Sequence, residues 1–171
     1  MTRVKAPLDE VISHWYYCFD DMRHSPQEFY NDLARTIKQR EIPNLSLSRV
    51  EISEGGVFSA KRIYLRVWRK RLLFDICAAP FGRGFFVSWW LSEPLTGCLA
   101  ILLRIPILNL LVALFLPPLT YYRIDTALMF QEMIHNAVME VIDEVTTHKG
   151  VRALTEDERK PIMREFFRSG R

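Results

Sequence analysis

The sequence has little glycine, little cysteine and no internal repeat, and each of these features excludes a class of protein. Seven glycines among 171 residues leave little room for low-complexity sequence, so we expect an ordered chain. The three cysteines, Cys18, Cys77 and Cys98, are odd in number and far apart, which argues against a disulfide framework and is typical of a reducing compartment. The sequence shows no similarity to itself at periods of about 20 to 50 residues, which argues against a repeat architecture. Acidic residues interrupt the apolar runs near the start, which argues against a secretory signal and predicts a cytoplasmic protein.

Charge is almost absent from residues 94–122, where Arg104 is the only charged side chain. Residues 95–116 are long enough for a membrane-spanning helix, which needs roughly 20 mainly apolar residues. Pro106 removes a backbone hydrogen bond from such a helix, and Asn109 places a polar group at mid-membrane depth. The stretch therefore predicts membrane contact, either as a single span or as a hairpin that turns near residues 106–109.

The alternative is a hairpin buried in the core of a soluble protein, with Arg104 paired to an acid. Residues 61–83 carry seven basic side chains against Asp75 alone, whereas residues 123–148 carry one basic side chain against five acids. A single crossing would therefore leave the sheet in the cytoplasm and the C-terminal helices outside. A hairpin keeps both flanks on one side, and an oligomer or a partner would have to cover its turn. Asp75 is a candidate partner for Arg104 or for a strand arginine.

The hydrophobic spacing before this stretch predicts helices followed by strands. Apolar residues at spacings of three and four predict a first helix over residues 8–22. Ser25 and the proline after it predict the start of a second helix over residues 26–40, which Pro43 ends. The period then changes to two, which predicts strands joined by short turns that pair as a four-stranded antiparallel meander. The predicted strands are residues 45–50, 57–69, 72–79 and 85–91, with a glycine turn at residues 54–56.

Residues 94–122 are called the uncharged stretch below, although they include Arg104. Helical spacing returns after this stretch. It predicts a long helix over residues 120–147 with Gly150 as its C-cap, and a capping box at Thr155 predicts a last helix running toward Phe167. The predicted fold class is α+β: N-terminal helices, a four-stranded antiparallel meander, an apolar membrane-associated hairpin or span, and C-terminal amphipathic helices. The predicted organisation is helices and sheet over 1–93, the membrane-associated segment over 94–122, and a helical region over 123–171 that packs back on the sheet.

Two sets of side chains are predicted to contact the membrane. Arginine alternates with aromatic residues in the second predicted strand, which suits anionic headgroups or nucleic-acid bases, and a solvated strand face is the plain alternative. Headgroups are favoured, because no nucleic-acid-binding module is recognised and the apolar stretch is near. The predicted headgroup contacts are Arg62, Arg66, Arg69, Lys70, Arg71 and Arg83. The predicted bilayer contacts are Trp89, Trp90, Leu102, Leu103, Ile105, Ile107, Leu110, Leu111, Leu114, Phe115, Tyr121 and Tyr122.

Residues with catalytic or metal-binding chemistry occur singly. His14 and Cys18 are four apart, which would be half of a metal site on a helix, and no second pair lies at ligand spacing. Glu132 and His135 lack the second pair that a carboxylate-bridged metal bundle needs. Cys77 lies in an apolar strand and suits a small core residue better than a nucleophile. We therefore predict no catalytic residue, no metal site and no cofactor.

Together these features predict a non-enzymatic membrane-associated subunit or adaptor on the cytoplasmic side of the cell membrane. Its partners would be anionic lipid headgroups and either a protein partner or further copies of the chain, with nucleic acid unfavoured. The acidic C-terminal helix would present the surface for the protein partner. The alternative is a soluble α+β binding domain that forms homo-oligomers through residues 95–116.

Overall fold

The structure, a computed structural model, describes residues 11–53, 61–94 and 120–163 of the chain. It is an α+β fold in which one antiparallel sheet carries helices. In chain order the elements are β1 (Val11–Phe19), α1 (Pro26–Gln39), β2 (Leu45–Ser53), β3 (Lys61–Arg69), β4 (Leu72–Phe81), β5 (Gly84–Ser92), α2 (Tyr121–Lys149), α3 (Glu156–Arg159) and β6 (Ile162–Met163).

The sheet has six strands in the order β2-β3-β4-β5-β1-β6, so the predicted fold of N-terminal helices with a four-stranded meander is wrong. Strands β2 to β5 pair with their chain neighbours, but β1 then adds to the free edge of β5 and β6 adds to β1. The glycine turn predicted at residues 54–56 and the first residues of the strand predicted over 57–69 lie outside the described residues.

The helix predicted over residues 8–22 is contradicted, because residues 11–19 form β1. Their apolar side chains satisfy a helical spacing, but the segment is rich in β-branched and aromatic residues, which favour a half-buried strand. Its burial alternates, with Ser13, Trp15 and Phe19 buried. Trp15 lies opposite Trp89 of β5 in the register. The partner strand therefore decided the conformation of this segment.

The two long helices agree with their local signals. Ser25 caps α1 by accepting a hydrogen bond from the backbone N–H of Glu28, which confirms its predicted start, and the helix buries Phe29, Leu33 and Ile37. Gly150 ends α2 in the left-handed conformation at φ 65°, which also confirms its prediction.

The last helix is shorter than expected. The capping box at Thr155 is present, but α3 ends at Arg159 rather than running toward Phe167. Lys160 is extended, at φ −70° and ψ 128°, because the residue before a proline disfavours the helical region. Pro161 therefore ends this helix, and the chain turns into β6.

Helices α1 and α2 bury their apolar stripes in one core against the sheet. Leu65, Ile76 and Trp89 of the central strands meet Leu33 and Ile134 of the helices there. Residues before and after the uncharged stretch therefore belong to one packed body, which contradicts a single crossing that would separate the sheet from the C-terminal helices. Among the described residues, no helix is both long enough and apolar enough to cross a membrane.

A buried polar cluster ties the C-terminal segment to this core. Trp89 Nε1–H donates to His135 Nδ1 at 3.2 Å, and Trp15 Nε1–H donates to the carbonyl oxygen of Glu158 at 2.6 Å. The guanidinium of Arg159 pairs with Asp143 of α2. His135 also shares a hydrogen bond with the backbone of Arg159. The imidazole must be neutral here, because its Nδ1 accepts the hydrogen bond from Trp89 and therefore carries no proton.

We expect acid to destabilise the fold through His135. Burial lowers the pKa of its imidazole below the ordinary 6.5, and this lowering outweighs the opposing effects of the Glu132 charge and of the hydrogen bond to the Arg159 backbone. The unfolded chain therefore binds the proton first, so this contribution to stability is present above pH 6.5 and is lost as pH falls below it. Thermal melts from about pH 7.5 to about pH 5 should show a falling Tm.

The control for this prediction is His135→Gln, whose amide can accept from Trp89 without titrating. Its Tm should depend less on pH than that of the native chain. Burial also lowers the pKa of His24, so some pH dependence will remain. Equal pH dependence in His135→Gln and the native chain would contradict the assignment.

Candidate functional site

A cavity of about 540 Å³ lies at one end of the sheet, which we call the tip end. The tip end is defined by the β3–β4 turn at Lys70 and Arg71, where Arg69 pairs with Leu72. The loop after α1 and the first half of α2 form the other walls. The lining residues are Arg40, Glu41, Ile42, Pro43, Arg69, Lys70, Arg71, Leu72, Glu93, Tyr122, Arg123, Thr126, Met129, Phe130 and Met133.

The lining is amphipathic. Its charged side chains are five basic and two acidic, which gives the cavity an excess of positive charge. Most of the other lining residues are apolar and come from the loop after α1, the start of β4 and α2: Ile42, Pro43, Leu72, Met129, Phe130 and Met133, with Tyr122 and Thr126 beside them. Such a combination suits a ligand that has an anionic group and an apolar part.

The β3–β4 turn holds its basic residues in a strained conformation. Lys70 has φ 54°, a left-handed value that L-residues other than asparagine and aspartate rarely adopt. Its carbonyl oxygen accepts a hydrogen bond from Trp68 Nε1–H at 2.6 Å. Arg69 Nε–H donates to the carbonyl oxygen of Pro43 at 3.3 Å, which ties the turn to the loop after α1. The turn is therefore fixed by two side-chain contacts.

An ion pair joins the end of the sheet to the start of α2 at the cavity. Arg123 Nη2 lies 2.8 and 2.9 Å from the two carboxylate oxygens of Glu93. Arg71 Nε lies 4.0 Å from the same carboxylate. The residues that precede and follow the uncharged stretch are thus held together at the tip end.

Arg40 adds a buried donor to the cavity wall. Its Nη2 lies 2.7 Å from a carboxylate oxygen of Glu140, but its Nε–H is buried and has no acceptor among the described residues. A buried donor without a partner is uncommon, because leaving it unsatisfied costs about 1–3 kcal/mol.

The predicted headgroup residues divide into three groups. Arg69, Lys70 and Arg71 line the cavity together. Arg66 is buried, with only 7% of its surface exposed, and its Nε and Nη2 each donate to one carboxylate oxygen of Asp75 at 2.7 Å. The pairing of Asp75 with a strand arginine is thereby confirmed, and Arg66 is not free to bind a headgroup.

Arg62 and Arg83 lie at the opposite end of the sheet. Arg62 is roughly 23 Å from Arg69 along β3, at about 3.3 Å per residue. Arg83 is in the β4–β5 turn, where its guanidinium pairs with Asp21 at 2.6 Å. The predicted set is therefore not one surface, and only its tip-end members meet in a site.

The aromatic residues expected at the membrane interface also separate. Tyr122 lines the cavity, and Tyr121 beside it is 87% exposed. Trp90 is half-buried and stacks on His14 at 4.7 Å between ring centroids. Trp89 is completely buried in the helix-covered core, so it is not an interfacial residue. The remaining predicted bilayer contacts, Leu102, Leu103, Ile105, Ile107, Leu110, Leu111, Leu114 and Phe115, lie outside the described residues, as does Arg104.

Sequence reasoning missed the apolar half of the cavity. Met129 and Met133 are exposed although they are apolar, and four-residue spacing puts them on one side of α2. This pair was the available signal, because the buried stripe of α2 runs through Phe130 and Ile134 instead.

The other candidate chemistry has structural explanations. His14 and Cys18 lie on a strand, where a separation of four residues spans roughly 13 Å and cannot hold one metal ion. Within the described ranges, no three His, Cys, Asp or Glu side chains are grouped for metal binding. Burial raises the pKa of the Cys77 thiol, which also hydrogen-bonds to Tyr64, as suits a core residue.

Removing one partner of the buried pair should destabilise the fold. Asp75→Ala leaves the Arg66 guanidinium buried without an anion, so we expect the free energy of unfolding to fall by about 3–5 kcal/mol in urea titrations. The double variant Arg66→Met with Asp75→Leu should lose much less, because neither charge remains. A loss below about 1 kcal/mol for Asp75→Ala would contradict this account.

The two hairpin turns allow a reciprocal test of strain at the tip. The β4–β5 turn uses Gly82 at φ 60° where the β3–β4 turn uses Lys70 at φ 54°. We expect Lys70→Gly to raise the free energy of unfolding by about 1 kcal/mol and Gly82→Lys to lower it by a similar amount. A Cβ at Gly82 would meet nothing within 4 Å, so a clash cannot account for the loss. Urea titration of both variants measures this, and no gain for Lys70→Gly would exclude the strain.

Comparisons with known proteins do not assign this site. No protein-family model, curated protein or solved structure matches the chain. What the site can do therefore follows from its own residues, which combine clustered cations, a buried donor and an apolar wall.

Proposed function

We propose that the protein is a non-enzymatic membrane-associated subunit or adaptor on the cytoplasmic side of the cell membrane. Its tip end binds anionic lipid headgroups, and the exposed face of α2 binds a protein partner. The observation that carries this proposal is the position of the basic cavity, which lies where the chain leaves the sheet for the uncharged stretch and where it returns.

The geometry of the flanks favours attachment from one side. Glu93 and Arg123 are in contact, so the two described parts of the chain that flank residues 95–119 meet at the tip end. If those residues enter a bilayer, the tip end is the part of the described body that faces it. In that arrangement Arg69, Lys70, Arg71 and Tyr122 would lie at headgroup depth, and the opposite end of the sheet would lie away from the membrane.

The size of the electrostatic effect is adequate for weak, reversible binding. Each basic residue near an anionic membrane surface contributes about 1 kcal/mol at physiological salt. The tip turn supplies three such residues, which corresponds to roughly a hundredfold preference for anionic over neutral membranes. An apolar element in addition would give stable attachment, since single weak signals bind reversibly.

The proposed protein-binding surface is the outer face of α2. Asp125, Leu128 and Glu132 are exposed and lie at spacings of three and four, so they share one side of the helix. Glu140 and Asp143 are already engaged with Arg40 and Arg159. The partner surface is thus acidic with an apolar centre, which suits a basic partner. The alternative of a soluble homo-oligomer through residues 95–116 stays a prediction, because those residues lie outside the described part of the chain.

Vesicle binding tests the proposal directly. The full chain should sediment with phosphatidylserine-containing vesicles and much less with pure phosphatidylcholine vesicles. Lys70→Gln with Arg71→Gln should weaken binding by roughly thirtyfold, because two cations are removed. The matched control is Arg62→Gln with Arg83→Gln, which removes the same charge from the opposite end and should change binding by less than about threefold. Equal losses of vesicle binding in the two double variants would contradict the proposed orientation.

A further inference from the structure

We propose that the tip-end cavity holds one anionic lipid molecule, rather than only contacting a charged surface. Its oxyanion would lie among Arg69, Lys70 and Arg71, and the beginning of its acyl chain would lie against Phe130 and Met133. This inference deepens the proposed function and rests on it, because it names the ligand that the same end of the molecule takes from the membrane.

The shape of the site goes beyond what headgroup contact requires. Electrostatic binding to a membrane surface needs only exposed cations, and those need no cavity. The described cavity has a volume of about 540 Å³, within the range of roughly 300–1,000 Å³ that is usual for small-molecule sites. The same cavity combines a cluster of three cations at the β3–β4 turn with the apolar side chains of Met129, Phe130 and Met133 on α2, so it offers groups for both parts of an amphiphile.

The apolar wall is accessible to a ligand. Met129 is 69% exposed and Met133 is 37% exposed, although both line the cavity. Methionine has an unbranched, polarisable side chain that adapts to irregular apolar partners, so it suits an acyl chain better than a fixed polar ligand. Leu72 and Phe130 also line the cavity and are buried, so they belong to the packed core as well as to the apolar wall.

The cationic wall retains capacity for an anion. Glu93 pairs with Arg123 and lies 4.0 Å from Arg71, whereas neither Arg69 nor Lys70 pairs with an acid among the described residues. The buried Nε–H of Arg40 has no acceptor among the described residues, and an oxyanion would provide one. Charge-assisted hydrogen bonds from arginine to phosphate are among the strongest available in proteins. These features favour a phosphate-bearing lipid.

Calorimetry with a dispersed lipid tests this inference on the full chain. Dioctanoyl phosphatidic acid, kept below its critical micelle concentration, should bind with a stoichiometry of one. Dioctanoyl phosphatidylcholine and inorganic phosphate should each bind at least about tenfold more weakly, because one lacks the net charge and the other lacks the chains. Equal binding of inorganic phosphate would show a plain anion site and overturn the proposal, and so would equal binding of the zwitterionic lipid.

Two exposed apolar residues provide a matched pair of variants. Met129→Asp places a charge on the apolar wall and should weaken phosphatidic acid binding by at least about tenfold. Phe81→Asp introduces the same charge at a similarly exposed side chain, which lies at the opposite end of the sheet and outside the lining, and should have little effect. Both changes are on the surface, so far-ultraviolet circular dichroism should confirm folding in each case. Equal effects of the two variants would overturn the assignment of the acyl chain to this wall.

The two proposals fail in different ways. If the native chain binds phosphatidylserine vesicles through Lys70 and Arg71 but does not saturate with one dispersed lipid, the membrane proposal stands and the lipid-holding cavity is wrong. If the chain binds dispersed phosphatidic acid but not vesicles, the cavity binds a lipid and the membrane-associated function is wrong.

Discussion

The packing of α2 on the sheet face that α1 also covers is the constraint on which the rest of the structure depends. Ile134, Val138 and Ile142 are completely buried there, and each such side chain contributes about 1.5–3 kcal/mol. Helix α2 therefore cannot leave the sheet without the loss of a large part of a typical domain's stability. The Glu93–Arg123 pair adds little energy, since partly exposed pairs are worth about 1 kcal/mol or less, but it fixes where the helix starts. The described chain consequently stops at residue 94 and resumes at residue 120 at the same end of the sheet, the tip end.

Elements with a short-range cause could be predicted from the sequence, and elements with a long-range cause could not. The cap at Ser25, the left-handed Gly150 and the capping box at Thr155 each involve residues within one turn, and all are present. The segment 11–19 satisfied a helical period but became a strand, because β5 offers an unpaired edge on that side. The sequence of residues 11–19 does not show that this edge is available for pairing. The same limit applies to β6, whose two residues pair only because α3 ends beside β1.

The residues of the candidate site also differ in whether local sequence could predict them. The cations of the β3–β4 turn were predictable, since a hairpin tip is a local feature and its side chains face solvent. Arg66 has the same chemistry, but its register partner is Asp75, so the two charges neutralise each other within the sheet. The apolar wall could not be predicted, because the pattern of α2 does not say which of its sides lies over the turn. That depends on how the helix packs on the sheet, where Ile134, Val138 and Ile142 are buried.

Residues with unfavourable backbone angles or an unsatisfied buried donor are concentrated around the cavity. This concentration argues for a function there rather than elsewhere. Four non-glycine residues have positive φ in the described part of the chain, and two of them, Glu41 and Lys70, line the cavity. Asn44 lies just beyond the lining, in the loop after α1, and only Asp21 is at the opposite end. One of the two buried side-chain nitrogens that lack a partner in the described residues belongs to Arg40 of the same lining. Strained backbone, an unsatisfied donor and exposed methionines each cost stability, and proteins usually retain such features where a ligand compensates for them.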